Sequence, residues 1–179
     1  MVSAINTQDI TDTIAWKSQD LHKALTLLAL RAGLAHATAT DTNADAAPRQ
    51  PITSLASRMG LMLHTHTLEF QTAADTLSHI APALMPLRDG EYVAVLQSGR
   101  LGATLLNPNG TTRRVTLTQL RDALFAQQLE DAEQRVAAQV AELTLPQMRR
   151  EAIAQALRDA ALQDTQRDGL MQLSAPSDK

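Results

Sequence analysis

The fold of this 179-residue chain is decided by its central stretch, EYVAVLQSGRLGATLLNPNG, which spans residues 91–110. Apolar residues fill two extended halves, a Ser-Gly pair at residues 98–99 separates them, and an Asn-Pro-Asn-Gly run closes the stretch at residues 107–110. Such runs are typical of hairpin turns, because glycine adopts the positive φ that tight turns require. The stretch therefore predicts two antiparallel strands folded back on a short turn.

This hairpin lies within a longer antiparallel meander, with a further turn at Asp89-Gly90. Pro86 cannot donate a hydrogen bond to a ladder, so we expect it at an edge or a bulge. An earlier strand is predicted at residues 61–68, LMLHTHTL. The extended segments of the meander are residues 83–87, 91–96, 103–107 and 112–117.

Apolar residues at helical spacing precede the meander. Ser18 is the expected N-cap of a Leu-rich helix, and Gly33 is expected to end that helix in the left-handed conformation. A polar loop separates it from a short helix that is stopped by Gly60. A third helix is predicted to open at Thr72, with Asp75 in the acidic position of a capping box.

Helical spacing returns after the meander. One long helix is predicted from Thr118 to Leu143, bent around Gln127-Gln128, and a second follows Pro146, which suits a first helical turn. Gly169 is expected to end the second helix. Segregated helices and an antiparallel sheet indicate an α+β fold with the sheet packed on the N-terminal helices. The expected units are a flexible arm at residues 1–16, an α+β domain at residues 17–125, a helical extension at residues 126–170 and a disordered tail at residues 171–179.

Composition excludes several classes of function. With a net charge of −3 and a pI of about 5.9, the chain has no strong positive field to attract nucleic acid or anionic lipid. Cysteine is absent, which removes disulfides, thiolate zinc sites and thiol nucleophiles. Neither a signal peptide nor an apolar run of spanning length is predicted, so we expect no membrane insertion by this chain.

Three alternative chemistries have weak support in the sequence. His64 and His66 share a face of the predicted strand, but metal binding needs a third ligand, and a solvated strand face explains them better. No Gly-x-Ser-x-Gly elbow supports a serine hydrolase. No Gly-Lys-Ser/Thr run follows Gly99 and Gly102, as a phosphate-binding loop would require. We therefore expect no metal and no cofactor.

The order of elements, with DLHKALTLLALRAG first and then DGEYVAVL and LLNPNG, resembles the peptidase-type domain at the N-terminus of ABC exporters. That family consists of papain-like cysteine peptidases, which remove leader peptides from bacteriocins before export. A degenerate branch on type I secretion exporters keeps the fold without the cysteine and is thought to bind unfolded cargo or to regulate the transporter. The resemblance covers residues 17–125 and implies a papain-like fold for them.

The resemblance also locates the catalytic positions, and each of them is replaced. Where active members have the cysteine nucleophile at the start of the first helix, this chain has Asp20. Tyr92 stands in the place of the general-base histidine, and Asn107, before Pro108, in the place of the aspartate that orients it. Ile14 replaces the glutamine that helps to bind the oxyanion.

These replacements predict a domain that is not an enzyme. A carboxylate cannot replace a thiolate in attack on an amide. Tyrosine, with an ordinary pKa of about 10, is a poor base at neutral pH. Asparagine can orient a base in related enzymes, but here it has no base to orient. A degenerate cleft around Asp20, Tyr92 and Asn107 is therefore the expected peptide-binding site.

The resemblance implies a peptide or protein ABC exporter as the setting of this domain. The expected partners are an exported polypeptide or its leader peptide, and the transmembrane and ATPase parts of the exporter. The expected location is cytoplasmic, at the face of the bacterial inner membrane. The alternative is a stand-alone interaction module that oligomerises or docks through the apolar stripes of its C-terminal helical hairpin.

Overall fold

The computed structural model describes residues 13–34 and 51–176, which form a mixed α/β structure with a seven-stranded antiparallel sheet. The strands are β1 (Trp16–Lys17), β2 (Met62–Glu69), β3 (Ala83–Pro86), β4 (Glu91–Gly99), β5 (Gly102–Leu106), β6 (Thr112–Val115) and β7 (Gln166–Ser174). The α-helices of the described part are α1 (Leu21–Arg31), α2 (Ile52–Arg58), α3 (Ala73–Leu77), α4 (Leu117–Leu124), α5 (Ala126–Ala141) and α6 (Gln147–Gln163).

The predicted meander is confirmed, because β3, β4, β5 and β6 are successive neighbours in the sheet. The turn between β4 and β5 differs from its prediction. Ser98 and Gly99 belong to β4 and pair with β5, which leaves the turn to Arg100 and Leu101. Gly102 has φ +142°, and a Cβ atom there would lie 2.4 Å from the carbonyl oxygen of Val115. Glycine is therefore required at residue 102, because the end of β6 lies too close to leave room for a side chain.

The segment after α6 corrects the predicted C-terminal region. Residues 166–174 are neither helix nor disordered tail but form β7, which lies between β2 and β3. Gly169, with φ +89°, lies where the pairing of β2 with β7 shifts its register, and it does not cap a helix. Leu170 and Leu173 are buried on opposite faces of the sheet, so β7 contributes to the core on both sides. Residues 177–179 lie outside the described part.

The predicted flexible arm at residues 1–16 is wrong for its last residues. Ile14 and Trp16 are almost fully buried, and β1 pairs with the start of β4. Burying two large apolar side chains outweighs the entropy of a mobile arm. Residues 1–12 and the predicted polar loop at residues 37–50 lie outside the described part.

The sheet buries both of its faces, because successive side chains of a strand point to opposite sides. One face packs against α1 and α2, and we call it the α1 face. The other packs against α3 and α4, and we call it the α4 face. Buried residues on the α1 face include Trp16, Leu25, Leu84, Ala94 and Leu106. Buried residues on the α4 face include Met85, Val93, Leu105, Leu124 and Phe125.

The predicted glycine ends of α1 and α2 are confirmed. Gly33 and Gly60 have φ values of +71° and +69°. The next residue in each case donates its amide back into the helix: Leu34 to the oxygen of Ala29 at 2.9 Å and Leu61 to that of Ala56 at 2.8 Å. This is the Schellman arrangement, which satisfies carbonyls that would lack a partner at the helix end.

The predicted helix starts agree less well with the structure. Ser18 is not a cap, because residues 18–20 form a 3₁₀ turn and α1 begins at Leu21. Thr72 precedes α3 as predicted, but its side chain makes no capping hydrogen bond. The capping box instead joins Thr116 and Gln119 at the start of α4. Pro146 lies just before α6 and not in its first turn.

Helices α5 and α6 form a hairpin and pack against each other. The helix predicted from Thr118 breaks at Phe125, which separates α4 from α5, and not at Gln127-Gln128. Buried Ala132, Val136 and Leu162 line the hairpin. In the described residues no helix is long and apolar enough to cross a membrane. Because β7 follows α6, the hairpin is a connection between two parts of the sheet and not an appended extension.

Arg167 of β7 ties three elements together. Its guanidinium donates one hydrogen bond to the carbonyl oxygen of Pro86 at 2.7 Å, at the end of β3. It donates another to the carbonyl oxygen of Leu124, at the end of α4. Pro86 thus ends a strand in the interior of the sheet, and its carbonyl is satisfied from β7. Burial lowers the pKa of Arg167, and both acceptors are neutral backbone groups.

Substituting Arg167→Met should lower the free energy of unfolding by about 1.5–3 kcal/mol, because two carbonyls lose a charged donor while the aliphatic stem is kept. Urea unfolding followed by circular dichroism measures this loss. Arg149→Met on the exposed side of α6 is the matched control and should change stability by less than about 0.5 kcal/mol. Equal effects of the two substitutions would contradict the assigned role of Arg167.

Candidate functional site

Trp16 contacts the segments that carry two of the predicted site residues, Tyr92 and Asn107, and lies four residues before the third, Asp20. It pairs with Tyr92 across the β1–β4 ladder. Its indole nitrogen donates a hydrogen bond to the carbonyl oxygen of Leu106 at 2.8 Å, and Asn107 follows Leu106 directly. Asp20 ends the 3₁₀ turn that begins immediately after β1. Trp16 therefore joins β1 to β4 and β5, and α1 begins five residues after it.

Asn107 is held in a rigid turn after β5. Its side-chain amide donates to the hydroxyl of Thr111 at 2.9 Å, and its backbone nitrogen donates to the carbonyl oxygen of Thr111 at 2.8 Å. Gly110, with φ +82°, donates its amide to the oxygen of Asn107 at 2.9 Å. Arg31 of α1 donates to the oxygen of Gly110 at 3.1 Å. The Asn-Pro-Asn-Gly turn is thereby fixed to α1.

The side chain of Asn107 also carries an unusual feature. The residue is only 6% exposed, and its Oδ1 has no hydrogen-bond partner in the described part of the chain. Leaving a buried amide oxygen unpaired costs about 1–3 kcal/mol. A side chain that is retained at such a cost is a candidate for function, because packing alone would be better served by an apolar residue.

Asp20 and Tyr92 lie in different environments. The carboxylate of Asp20 is partly exposed and forms an ion pair with Lys23 at 3.5 Å. Tyr92 is half-buried and packs at the margin of the α1 face. Within the described ranges, no hydrogen bond links Asp20, Tyr92 and Asn107 to one another. The three residues share a region but do not form a proton relay.

A shallow groove of about 290 Å³ lies next to β1, and none of the three predicted site residues lines it. The 3₁₀ turn forms one wall and the β3–β4 turn forms the other, where Asp89 and Gly90 both have positive φ. We call it the turn groove. Its charged side chains are Lys17, Asp89 and Glu91, and Ser18 adds a hydroxyl. Its chemistry suits contacts with polar and backbone groups of a ligand.

A second shallow groove, of about 550 Å³, was not predicted from the sequence. It lies between the C-terminal end of α1, the loop before β3 and the end of β4. The hydroxyl of Ser98 accepts a hydrogen bond from the amide of Ala81 at 3.3 Å across it. No local pattern marks this groove, because its three walls are distant in sequence.

The two histidines of β2 are both hydrogen-bonded to side chains of β7. Nε2 of His64 lies 3.1 Å from the hydroxyl of Ser174, and Nε2 of His66 lies 2.9 Å from Oε1 of Gln172. In the part of the chain that the structure describes, no three metal-ligating side chains of the His, Cys, Asp or Glu type are grouped together.

Comparison with known proteins adds no relative to this description: no protein-family model, curated protein or solved structure matches the chain. The site is therefore defined by its own geometry.

Substituting Trp16→Phe should destabilise the fold by about 1–3 kcal/mol, because the buried oxygen of Leu106 loses its donor. Urea unfolding followed by circular dichroism measures the change, since the substitution removes the single tryptophan. Tyr92→Phe is the control, because the described residues offer its hydroxyl no hydrogen bond, and it should change stability by less than about 0.5 kcal/mol. Undiminished stability of the Trp16→Phe variant would refute the role given to the indole.

Proposed function

We propose that this chain is a catalytically inactive, papain-like peptidase domain that serves a peptide or protein ABC exporter. The observation that supports it best is that Trp16, just before Asp20 in sequence, pairs with Tyr92 and donates a hydrogen bond to the carbonyl oxygen of Leu106, next to Asn107. Asp20, Tyr92 and Asn107 are the positions where the resembled peptidases have their nucleophile, base and orienting residue. A shared fold requires the segments that carry them to be neighbours, and the contacts of Trp16 support this.

The chemistry at these positions supports binding without cleavage. The sequence has no cysteine, so no thiolate is available to attack an amide. Tyr92 and Asp20 share no hydrogen bond, so neither activates the other. A covalent acyl-enzyme route by cysteine is therefore closed to this domain, although its surface beside α1 is retained.

The proposed ligand is an extended segment of the exported polypeptide or its leader. The turn groove is lined by the polar residues that precede Asp20 and Tyr92 in sequence. Extended peptides are held chiefly through main-chain hydrogen bonds with side-chain contacts beside them. Tyr92 supplies an aromatic surface at the margin of the α1 face. In this proposal the domain acts at the cytoplasmic face of the bacterial inner membrane, beside the transmembrane and ATPase parts of the exporter.

Binding of an unfolded polypeptide should be detectable by NMR. With reduced, carboxamidomethylated α-lactalbumin as the probe, we expect shifts at the amides of Asp20, Tyr92 and Asn107 and at the indole of Trp16. Tyr92→Ser should weaken binding about tenfold, since aromatic anchors dominate such interfaces. Leu101→Ser, at the exposed turn at the far end of β4, is the apolar-to-polar control. Shifts confined to residues remote from Trp16 would argue against the cleft.

The proposed papain-like geometry can be tested separately by placing a cysteine at residue 20 and a histidine at residue 92. Because the chain has no cysteine, Asp20→Cys introduces a unique thiol. Combined with Tyr92→His, this thiol should be alkylated by iodoacetamide at pH 6 at least about tenfold faster than in Asp20→Cys alone, since an adjacent imidazolium lowers the thiol pKa. Lys23→Cys with Tyr92→His is the control and should show no such acceleration. If Tyr92→His leaves the reactivity of Cys at position 20 unchanged, the papain-like assignment fails.

The hairpin alternative has less support. Part of its apolar stripe is buried between α5 and α6, and Arg158 forms an ion pair with Glu133 at 3.7 Å. Leu143 and Met148 near its tip remain exposed. Removing residues 126–179 would also remove β7 from the sheet. Replacing residues 134–157 with a short Gly-Ser linker removes most of the hairpin but keeps β7. If this replacement abolishes self-association, measured by sedimentation, the result would support the hairpin alternative.

A further inference from the structure

Strand β2 presents an open edge. Within residues 13–34 and 51–176, its only ladder partner is β7. Met62, His64, Thr65 and Thr67 are exposed along it. Between Met62 and Leu68 the strand has no proline and no charged residue, which are the features that commonly protect an exposed edge from pairing with another chain.

The backbone groups that face this open edge can be identified. The amide of Leu173 in β7 donates to the oxygen of Pro82, on the β3 side. Because successive residues of a strand direct their backbone groups to alternate sides, Gln172 and Ser174 face β2. Their ladder partners, His64 and Met62, therefore face inward to β7. It follows that the free amides and carbonyls of β2 are those of residues 63, 65 and 67.

The side chains of His64 and His66 have features of metal ligands, but two histidines are too few to complete a metal site. They lie on the same face of β2, since they are two residues apart. With its proton on Nε2, His66 donates a hydrogen bond to Oε1 of Gln172, which lies 2.9 Å away. Nδ1 of the neutral ring then keeps a free lone pair. A histidine fixed through its other nitrogen in this way is typical of metal sites.

We propose that β2 pairs edge to edge with β2 of a second copy of this chain, and that the four histidines so gathered bind one divalent transition-metal ion of the zinc type. Antiparallel pairing with a two-fold axis at Thr65 uses the free backbone groups of residues 63, 65 and 67 on both copies. It places His64 of each copy opposite His66 of the other. These are pairs without backbone hydrogen bonds, whose Cα atoms lie about 4.5 Å apart with the side chains close.

A second copy is the partner that the composition of this edge favours. In this register Thr65 meets Thr65, Leu63 meets Thr67 and Met62 meets Leu68, so no like charges are opposed. Four imidazoles on one face supply the tetrahedral nitrogen set that zinc accepts, whereas one copy supplies only two. The site is therefore incomplete without the second chain. This inference does not depend on the proposed exporter function.

Sedimentation of the full chain with Zn²⁺ and then with EDTA tests the proposal. We expect a dimer with one zinc ion for two chains, measured by elemental analysis, and dissociation to monomer in EDTA. His64→Gln and His66→Gln should each weaken metal-dependent dimerisation at least about tenfold, and Gln172→Ala about 10–100-fold. His79→Gln alters an exposed histidine outside the sheet and should leave the dimer intact.

Two variants test the edge itself. Thr65→Pro removes an outward amide without removing a bond to β7, and Thr65→Lys opposes two positive charges at the two-fold axis without altering the backbone. Both should stay folded by circular dichroism and remain monomeric in Zn²⁺. A chain that stays monomeric in Zn²⁺, a dimer that survives EDTA, or a zinc-dependent dimer of Thr65→Lys would overturn the proposal.

Discussion

The hydrogen bond from the indole of Trp16 to the carbonyl of Leu106 joins the beginning of the described chain to the middle of its sheet. It forms where water is excluded, so breaking it leaves a buried carbonyl without a partner. The same side chain packs among Leu25, Leu84 and Ala94 on the α1 face. Trp16 thus links β1 to β5 by a hydrogen bond, and to α1, β3 and β4 by apolar packing.

Features of the fold that are local in sequence were predictable. The glycine ends of α1 and α2 depend on one residue with a positive φ, and the turns at Asp89-Gly90 and Asn109-Gly110 follow the same rule. The Thr-x-x-Gln pattern at Thr116 is a local signal of the same kind, because it marks the capping box at the start of α4.

Features that depend on distant partners were not predictable in the same way. Strand β1 has only two residues, too few to show a periodic pattern, and it is held in place by the contact of Trp16 with β5. Strand β7 follows a long helix, and its apolar residues suit either the end of a helix or a strand. Its pairing with β2 and β3 makes it a strand. The same holds for the site. Asp20, Tyr92 and Asn107 were predicted from a resemblance, whereas the two grooves are made by segments that no single sequence window contains.

The insertion of β7 between β2 and β3 has a consequence for biosynthesis. His66 is synthesised 106 residues before its partner Gln172. Strands β2 and β3, which flank β7 in the sheet, therefore cannot complete their pairing until β7 has been translated. During that interval their facing edges are open to other chains, which is a hazard that a chaperone would relieve. The α5–α6 hairpin connects β7 to the rest of the chain, and it therefore sets the effective concentration of β7 near β2 and β3. A protease that nicks the loop between these helices would turn an intramolecular strand into a dissociable peptide.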